Sequence, residues 1–479
     1  MTAVQQAPAA APAVAGPPPR RRPRLLPRTA TGRIRALTAA VIVALAATIT
    51  ATWLAVGDAR DGVRVIGHDA GPQVVATGDL YFQLTDMDAQ LANALLLGRS
   101  QNLGTGRDQA LARYDDNRAK AGAALLQAAK LADEPSEEAT ARDLLKGLGR
   151  YERLAGQALL ADQESDHTAG PPSERVTGLY RQATDMMKLD LLPKAYNLTL
   201  DNGTLVRHTY EDERTSVKYG IGWVLGTGLL LVALLAALQL FLAVRFRRLL
   251  NPALAAATLA ALVLTGAGAV MLGGQLDHLR AAKEDGFDSI LALSRARAIG
   301  NSANADQTRY LLDPKRADTY EQVFLSKSQS VLYVKAGNLA DYNAALQKQT
   351  DPKAFLGFLG DEANRPALPG RDAAMAKVLA DYRRFQQDDR AVRTLAASGR
   401  LGAAISTRLG QGDNAAARDF AAYDASLVKL IQIHRTAFDD AVAAGDDGTA
   451  GWRLVLPAAA LVIAVLVLAG VRPRLAEYR

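Results

Sequence analysis

Four stretches of this chain exclude every Asp, Glu, Lys and Arg over the length an apolar helix needs to cross a hydrocarbon layer, roughly 20 residues. They run Ala36–Val56, Tyr219–Val244, Leu249–Leu276 and Leu454–Val471. Between the second and third stand Arg245, Arg247 and Arg248, flanked on both sides by uncharged sequence. A globular core has no use for that arrangement, because each buried guanidinium would need a partner and neither flank offers a carboxylate. A tight turn between two membrane-spanning helices is therefore expected. The fourth stretch has only 18 residues, but Trp452 extends it, and Arg453 and Arg472 close its ends with side chains long enough to snorkel.

Orientation follows from basic residues close to the spans, since cations are retained on the cytosolic side. Arg20, Arg21, Arg22, Arg24, Arg28, Arg33 and Arg35 precede the first span without a single acid. The turn adds Arg245, Arg247 and Arg248, and the tail adds Arg472, Arg474 and Arg479 against Glu477. One side thus holds 13 basic residues and one acid. Of the 56 basic and 49 acidic residues in the whole chain, 43 and 48 remain elsewhere, a net charge of −5. Both termini are expected in the cytosol and both long loops outside it. Tryptophan, which favours the headgroup layer, agrees: Trp53 ends the first span, and Trp223 and Trp452 begin the second and fourth. A cleaved signal peptide is the alternative for Ala36–Val56, but the run is longer than a signal core and the 35 residues before it are too many.

The expected layout is a Pro/Ala/Arg-rich disordered segment (1–35), a span (36–56), a helical domain (57–218), a span (219–244), a turn (245–251), a span (252–276), a second helical domain (277–451), a span (452–471) and a tail (472–479). The fold class is an all-α membrane protein with two extracytoplasmic antiparallel four-helix bundles. Apolar residues recur at three and four along Leu80, Leu84, Met87, Leu91 and Leu95, and along Phe420, Tyr423, Leu427, Leu430, His434 and Phe438. That is the spacing of a bundle seam. Breaks are expected at 98–108, 133–138 and 166–174 in the first domain, with Ser136 and Ser173 able to cap. In the second they fall at Asp313-Pro314, 350–372 and 398–413, with Asp413 as a cap. The "AAGDDGTAGW" stretch (443–452) reads as poor helix, whereas no strong breaker precedes Tyr219, so a stiffer connection is expected to the second span than to the fourth. The halves share a pattern: "DMDAQLANALLLGR" (86–99) and "NSANADQTRYLLDP" (301–314) stand at similar distances past the first and third spans.

Within the spans, Ala253, Ala257, Ala261, Thr265, Ala269 and Gly273 recur every four residues, and Gly222 and Gly226 do so in the second span. They form either a packing face or a consequence of abundant alanine. No span holds an ionisable residue, which argues against a transport pathway.

Chemistry is sparse. The chain has no cysteine, no phosphate loop, no HExxH and no nucleophile elbow, so no catalytic, cofactor-binding or metal residue is expected. Of five scattered histidines, His434 reads as a core residue on its seam, and His208 with Arg207 as part of a solvated face. The arginine-rich segments point to membrane lipids rather than nucleic acid as partner. Association with a second copy stays open.

The arrangement of span, four-helix bundle and span, with "DMDAQLANALLLG" as the small-residue first helix, resembles the sensory regions of bacterial chemoreceptors and histidine kinases. It departs from them in carrying no kinase-control module after Val244 or Val471. The doubled four-pass form with an Arg/Pro-rich amino terminus resembles the actinobacterial GlnX-type membrane proteins. That resemblance implies a relay from an extracytoplasmic amino-acid-binding lipoprotein to a cytosolic Ser/Thr kinase, and it carries over no binding residue. A non-enzymatic sensor or relay is the first expectation; an envelope scaffold is the alternative, and a permease subunit a third.

Overall fold

In the computed structural model, residues 30–99, 106–131, 135–246, 251–366, 368–410 and 415–476 are described. Alanine and leucine dominate and β-branched runs are scarce, which favours helix. Among the described residues there is no strand, and one isolated bridge joins Tyr333 to Leu356. The helices are α1 (Ala30–Arg64), α2 (Gly71–Leu97), α3 (Gly106–Leu131), α4 (Pro135–Ser165), α5 (Glu174–Met186), α6 (Leu192–Phe246), α7 (Pro252–Arg280) and α8 (Asp288–Leu312). They continue with α9 (Ala317–Val331), α10 (Leu339–Lys348), α11 (Gly357–Ala363), α12 (Arg371–Ala397), α13 (Leu401–Leu409), α14 (Ala416–Ala450) and α15 (Trp452–Ala476). Four helical stretches are long and apolar enough to cross a membrane: Thr31–Asp69, Val206–Val244, Pro252–Leu312 and Ala416–Pro473. The chain is an all-helical, multi-pass membrane protein.

One compact unit comprises α1 up to Thr50, Leu225–Gly266 of α6 and α7, and α15 from Leu456. Small residues bring its helices together, as expected where lipid offers no hydrophobic drive. Gly228 lies directly under Thr265, leaving no room for a Cβ. Gln239 donates to Thr258 Oγ1 at 2.8 Å, and Asn251 donates to the Gly470 carbonyl at 2.7 Å. On α7 the packed stripe is Leu254, Ala257, Ala261, Leu264 and Thr265, so part of the expected four-residue row is used. Gly222 and Gly226 are not: both are exposed with nothing near a Cβ, and Gly220 (against Ala55) and Gly228 take their place.

The larger unit, Ala51–Val224 with Ala267–Val455, holds everything else. Its span-proximal core draws on α1, α6, α7 and α14 through Val63, Val206, Tyr210, Leu279, Phe438 and Val442. Two π-helical turns mark equivalent places, Val65–Ala70 between α1 and α2 and Ala281–Phe287 between α7 and α8. Each puts a glycine where α14 approaches: Gly67 meets Val442, and Gly286 meets the Phe438 backbone. These two positions require glycine because a methyl would collide with the neighbouring helix.

The same device explains why 443–450 is helical. Sequence propensity predicts a break, yet α14 runs to Ala450 and only Gly451 interrupts it before α15. Gly445 packs on Val63 and Gly448 on Gln275, whose amide donates to the Gly445 carbonyl at 3.1 Å. The glycines serve close helix approach rather than helix termination, so the expected poor helix is confined to a break at Gly451, while α6 runs into the second span without one. Burial outweighs a propensity cost of about 1 kcal/mol per glycine.

Farther from the spans, one core gathers Leu80, Leu84, Met87, Leu91 and Leu95 of α2 with α3, α4 and α5. A second gathers Leu293, Phe324, Tyr342, Phe355, Val378, Phe385, Tyr423 and Leu427 from α8 to α14. The second half is more subdivided than four helices: α10 and α11 lie between α9 and α12, and α13 (Leu401–Leu409) stands where the sequence predicts a break. Ser173 caps α5, accepting from Val176 N. Ser136 lies inside α4 rather than capping it, and Asp413 falls outside the described residues.

Candidate functional site

The two segments singled out by their similarity, 86–99 on α2 and 301–314 on α8, pack against each other. Asn301 Nδ2 donates to Thr85 Oγ1 at 3.3 Å and Thr308 Oγ1 to Asn93 Oδ1 at 2.8 Å, at sequence offsets of 216 and 215. A nearly constant offset means parallel helices in register. The π-helical turns, which begin at Val65 and Ala281, share the first offset. From Gly300 to Arg309 every residue of α8 is buried, including Asn301, Ser302, Asn304, Asp306, Gln307 and Thr308. Polar side chains buried on all sides of a helix need partners, and their pattern therefore records what surrounds it.

At the centre lies an ionic cluster. Arg309 reaches Asp88 on α2 at 2.5 Å, Asp306 one turn back on its own helix, and Tyr180 on α5 through Nε at 3.0 Å. Asp88 also accepts from Tyr151 (3.0 Å) and Thr184 (2.7 Å). Asp306 pairs with Lys327 on α9 and with Lys188 at 3.3 Å. Burial disfavours charge on Asp306, yet Lys327, Lys188 and Arg309 hold its carboxyl well below the usual range. Burial pushes the Lys327 ammonium down to about 8 against the pull of Asp306, and Lys188 down as well. Three cations against two carboxylates make the cluster sensitive to any change in the spacing of α2, α5, α8 and α9.

Beside this cluster opens a cavity of about 400 Å³ bordered by α2, α3, α8, α13 and α14. Its wall is polar: Gln83, Asp86, Gln90 and Asn93 from α2, Gln109, Arg113, Asp116, Asn117 and Lys120 from α3, Arg297, Asn301 and Asn304 from α8, Arg408 from α13 and Asp424 from α14. Arg297 lies on the Phe82 ring, 3.9 Å from its centroid, and grips Asp424 with two bonds of 2.6 and 2.9 Å. Arg408 is 1% exposed and donates to the Asn304 carbonyl at 3.0 Å. Burial pulls its guanidinium down to about 10. Three buried atoms of the lining have no protein partner: Gln83 Oε1, Asn304 Oδ1 and Arg408 Nε. Unpaired polar atoms in a polar hollow of this size are what a small hydrogen-bonding ligand requires.

The sequence-predicted residues fall elsewhere. Arg33 and Arg35 on α1 and Arg472 on α15 are exposed, and Arg245 and Arg474 lie in α6 and α15. Arg20, Arg21, Arg22, Arg24, Arg28, Arg247 and Arg248 lie outside the described residues. His434 is buried on its seam, with Nδ1 at 2.6 Å from the Asp285 carbonyl and Nε2 at 2.8 Å from Glu362. Both contacts are structural. His208 and Arg207 are exposed. Among the described residues no group of His, Asp or Glu could hold a metal ion.

Residues 62–211 match the family model of an actinobacterial sensor domain. The match begins in α1, covers the α2 and α3 walls of the cavity together with Asp88, and ends in α6. It leaves the second half unmatched. No curated protein and no solved structure matches the chain.

Proposed function

We propose that this protein is a non-enzymatic membrane sensor that detects a solute, or a solute-loaded binding protein, outside the cell and passes the signal to a cytosolic partner. One observation carries the reading: the matched sensor domain is enclosed by two helices that are themselves membrane-capable, with α6 unbroken from Leu192 to Phe246 and helix continuous from Ala30 to Leu97. A displacement at one end of such a helix is transmitted along it, and shifts of about an ångström or two are the amplitude switching proteins use. The arginine asymmetry supports cytosolic termini and an extracytoplasmic sensor domain. The resemblance to GlnX-type proteins supports an amino-acid-binding lipoprotein as the upstream partner and a Ser/Thr kinase as the effector.

The test uses cysteines introduced at Tyr219 and Leu276, in a chain that has none of its own. Leu276 packs against a cluster built on Val217, Val224 and Leu272, and Tyr219 lies exposed on α6 between the first two. Addition of the binding protein with its solute changes their crosslinking rate; an unchanged rate at saturation contradicts the proposal.

A further inference from the structure

The acids that line the cavity are all engaged. Asp424 is gripped by Arg297, Asp116 pairs with Lys120 at 2.6 Å, and Asp86 accepts from Asn117 (2.5 Å) and Gln90 (3.1 Å). Two cations are not matched in this way. Arg113 projects from the exposed face of α3 with no ion pair among the described residues. Arg408 is buried, gives one Nη to a backbone carbonyl and leaves Nε without a protein partner.

Asp389 and Asp388 are the acids whose charge acts on Arg408, and neither forms an ion pair or hydrogen bond with it. Asp389 bonds to Arg393 at 2.8 Å. Asp388 is pushed up to about 7, by burial first and then by Asp419, so at neutral pH a large fraction of it is uncharged. With Arg113, Lys120, Arg297 and Arg408 against Asp86, Asp116 and Asp424, the lining carries one more cation than acid, and the unpaired oxygens of Gln83 and Asn304 are acceptors in its wall.

We infer that this cavity binds a small carboxylate bearing further hydrogen-bond donors, with the anion on Arg408 and Arg113 and the donors on Asn304 and Gln83. A guanidinium presents two parallel N–H groups to a carboxylate, and the volume of about 400 Å³ suits a metabolite rather than a peptide. The assignment rests on the sensor reading and deepens it: ligand held between α2–α3 and α8–α13–α14 bridges the two halves beside the Arg309–Asp88 contact.

The experiment is calorimetric titration of the full-length protein in nanodiscs with L-glutamate, succinate, choline and glycerol as separate probes. Saturable binding of L-glutamate is expected, with succinate, which has no hydrogen-bond donor, at least tenfold weaker and no binding of choline or glycerol. Arg113→Gln, on an exposed position, and Arg408→Gln each weaken that binding by about tenfold or more, the usual loss for one charged hydrogen-bond partner. Lys146→Gln, an exposed change on α4 outside the lining, leaves it unaltered. Circular dichroism confirms that the Arg408→Gln variant is folded; if it is not, Arg113→Gln alone decides. The inference is overturned if L-glutamate does not bind, if succinate binds as tightly, if choline or glycerol binds instead, or if L-glutamate affinity is indifferent to these variants. A crosslinking response to a binding protein that survives such a failure leaves the sensor reading intact and removes only the cavity.

Discussion

Arg309 Nη2 sits 2.5 Å from Asp88 Oδ2, with the two side chains 2% and 0% exposed, and joins the second half of the chain to the first across 221 residues. Removing one member of a buried pair strands the other in a low dielectric. Arg309→Met leaves Asp88 without its cation and is expected to cost about 3–5 kcal/mol, read as a large drop in the thermal midpoint. The double variant Asp88→Asn with Arg309→Met recovers part of the loss, because the introduced amide is uncharged and its oxygen still accepts from Tyr151 or Thr184. A double variant no better than the single one contradicts this role.

Asp388 supplies a pH dependence. Its folded pKa is raised to about 7 from 3.8, so between those values the folded state binds more protons than the unfolded one. Stability falls as pH rises from about 4 to 7 on this account and is level above. The groups facing it are Asp419, which raises the value, and Arg408 and Arg384, which oppose the rise. Asp388→Asn flattens the fall across that window; thermal midpoints measured through it check the point, and an unaltered slope counts against it.

The span-proximal packing is tested at Gly286. A Cβ there would lie 2.6 Å from Phe438 Cβ and 2.9 Å from its Cα, contacts that no rotamer change relieves. Gly286→Ala is expected to destabilise by about 1–3 kcal/mol through overpacking. Gly78→Ala, whose Cβ would meet only Ser294 at 3.7 Å inside α2, is the control and is neutral to stabilising by up to about 1 kcal/mol.

In the membrane-capable helices the two glycines of interest on α6 separate cleanly. Gly228→Ala forces α6 off Thr265 of α7 and lowers the midpoint in detergent, whereas a Cβ at Gly222 meets nothing within 4 Å and Gly222→Ala does not lower it. Equal effects at the two positions would show that the stripe has no packing role.

Much of the helical plan was legible because periodicity reports which face of a helix is buried. The leucine row of α2 and the Phe420–Phe438 row of α14 lie in the cores their spacing implied, and Ser173 caps where its position suggested. The cavity was not legible. Asn301, Asn304 and Asp306 are small polar residues on one helix, and it is packing against α2, from 216 residues earlier, and against α9 and α13 that buries them. The same holds for Gly445 and Gly448: composition marks them as breakers, and their use in close approach to Val63 and Gln275 exists only once the helices have met. The signal that could have been followed was the pairing of the two similar segments, since related polar helices repeated in one chain have each other as natural partners.

The central claim is that both halves of the large helical unit lie outside the cytosol while the chain ends lie within it. Single cysteines at Lys146 on α4 and Lys348 on α10, and at Arg35 and Arg472, report this directly when intact cells meet a membrane-impermeant maleimide. Labelling at 146 and 348, with protection at 35 and 472 until the membrane is permeabilised, is the predicted result. The reverse pattern, or labelling confined to one of the two halves, would contradict it.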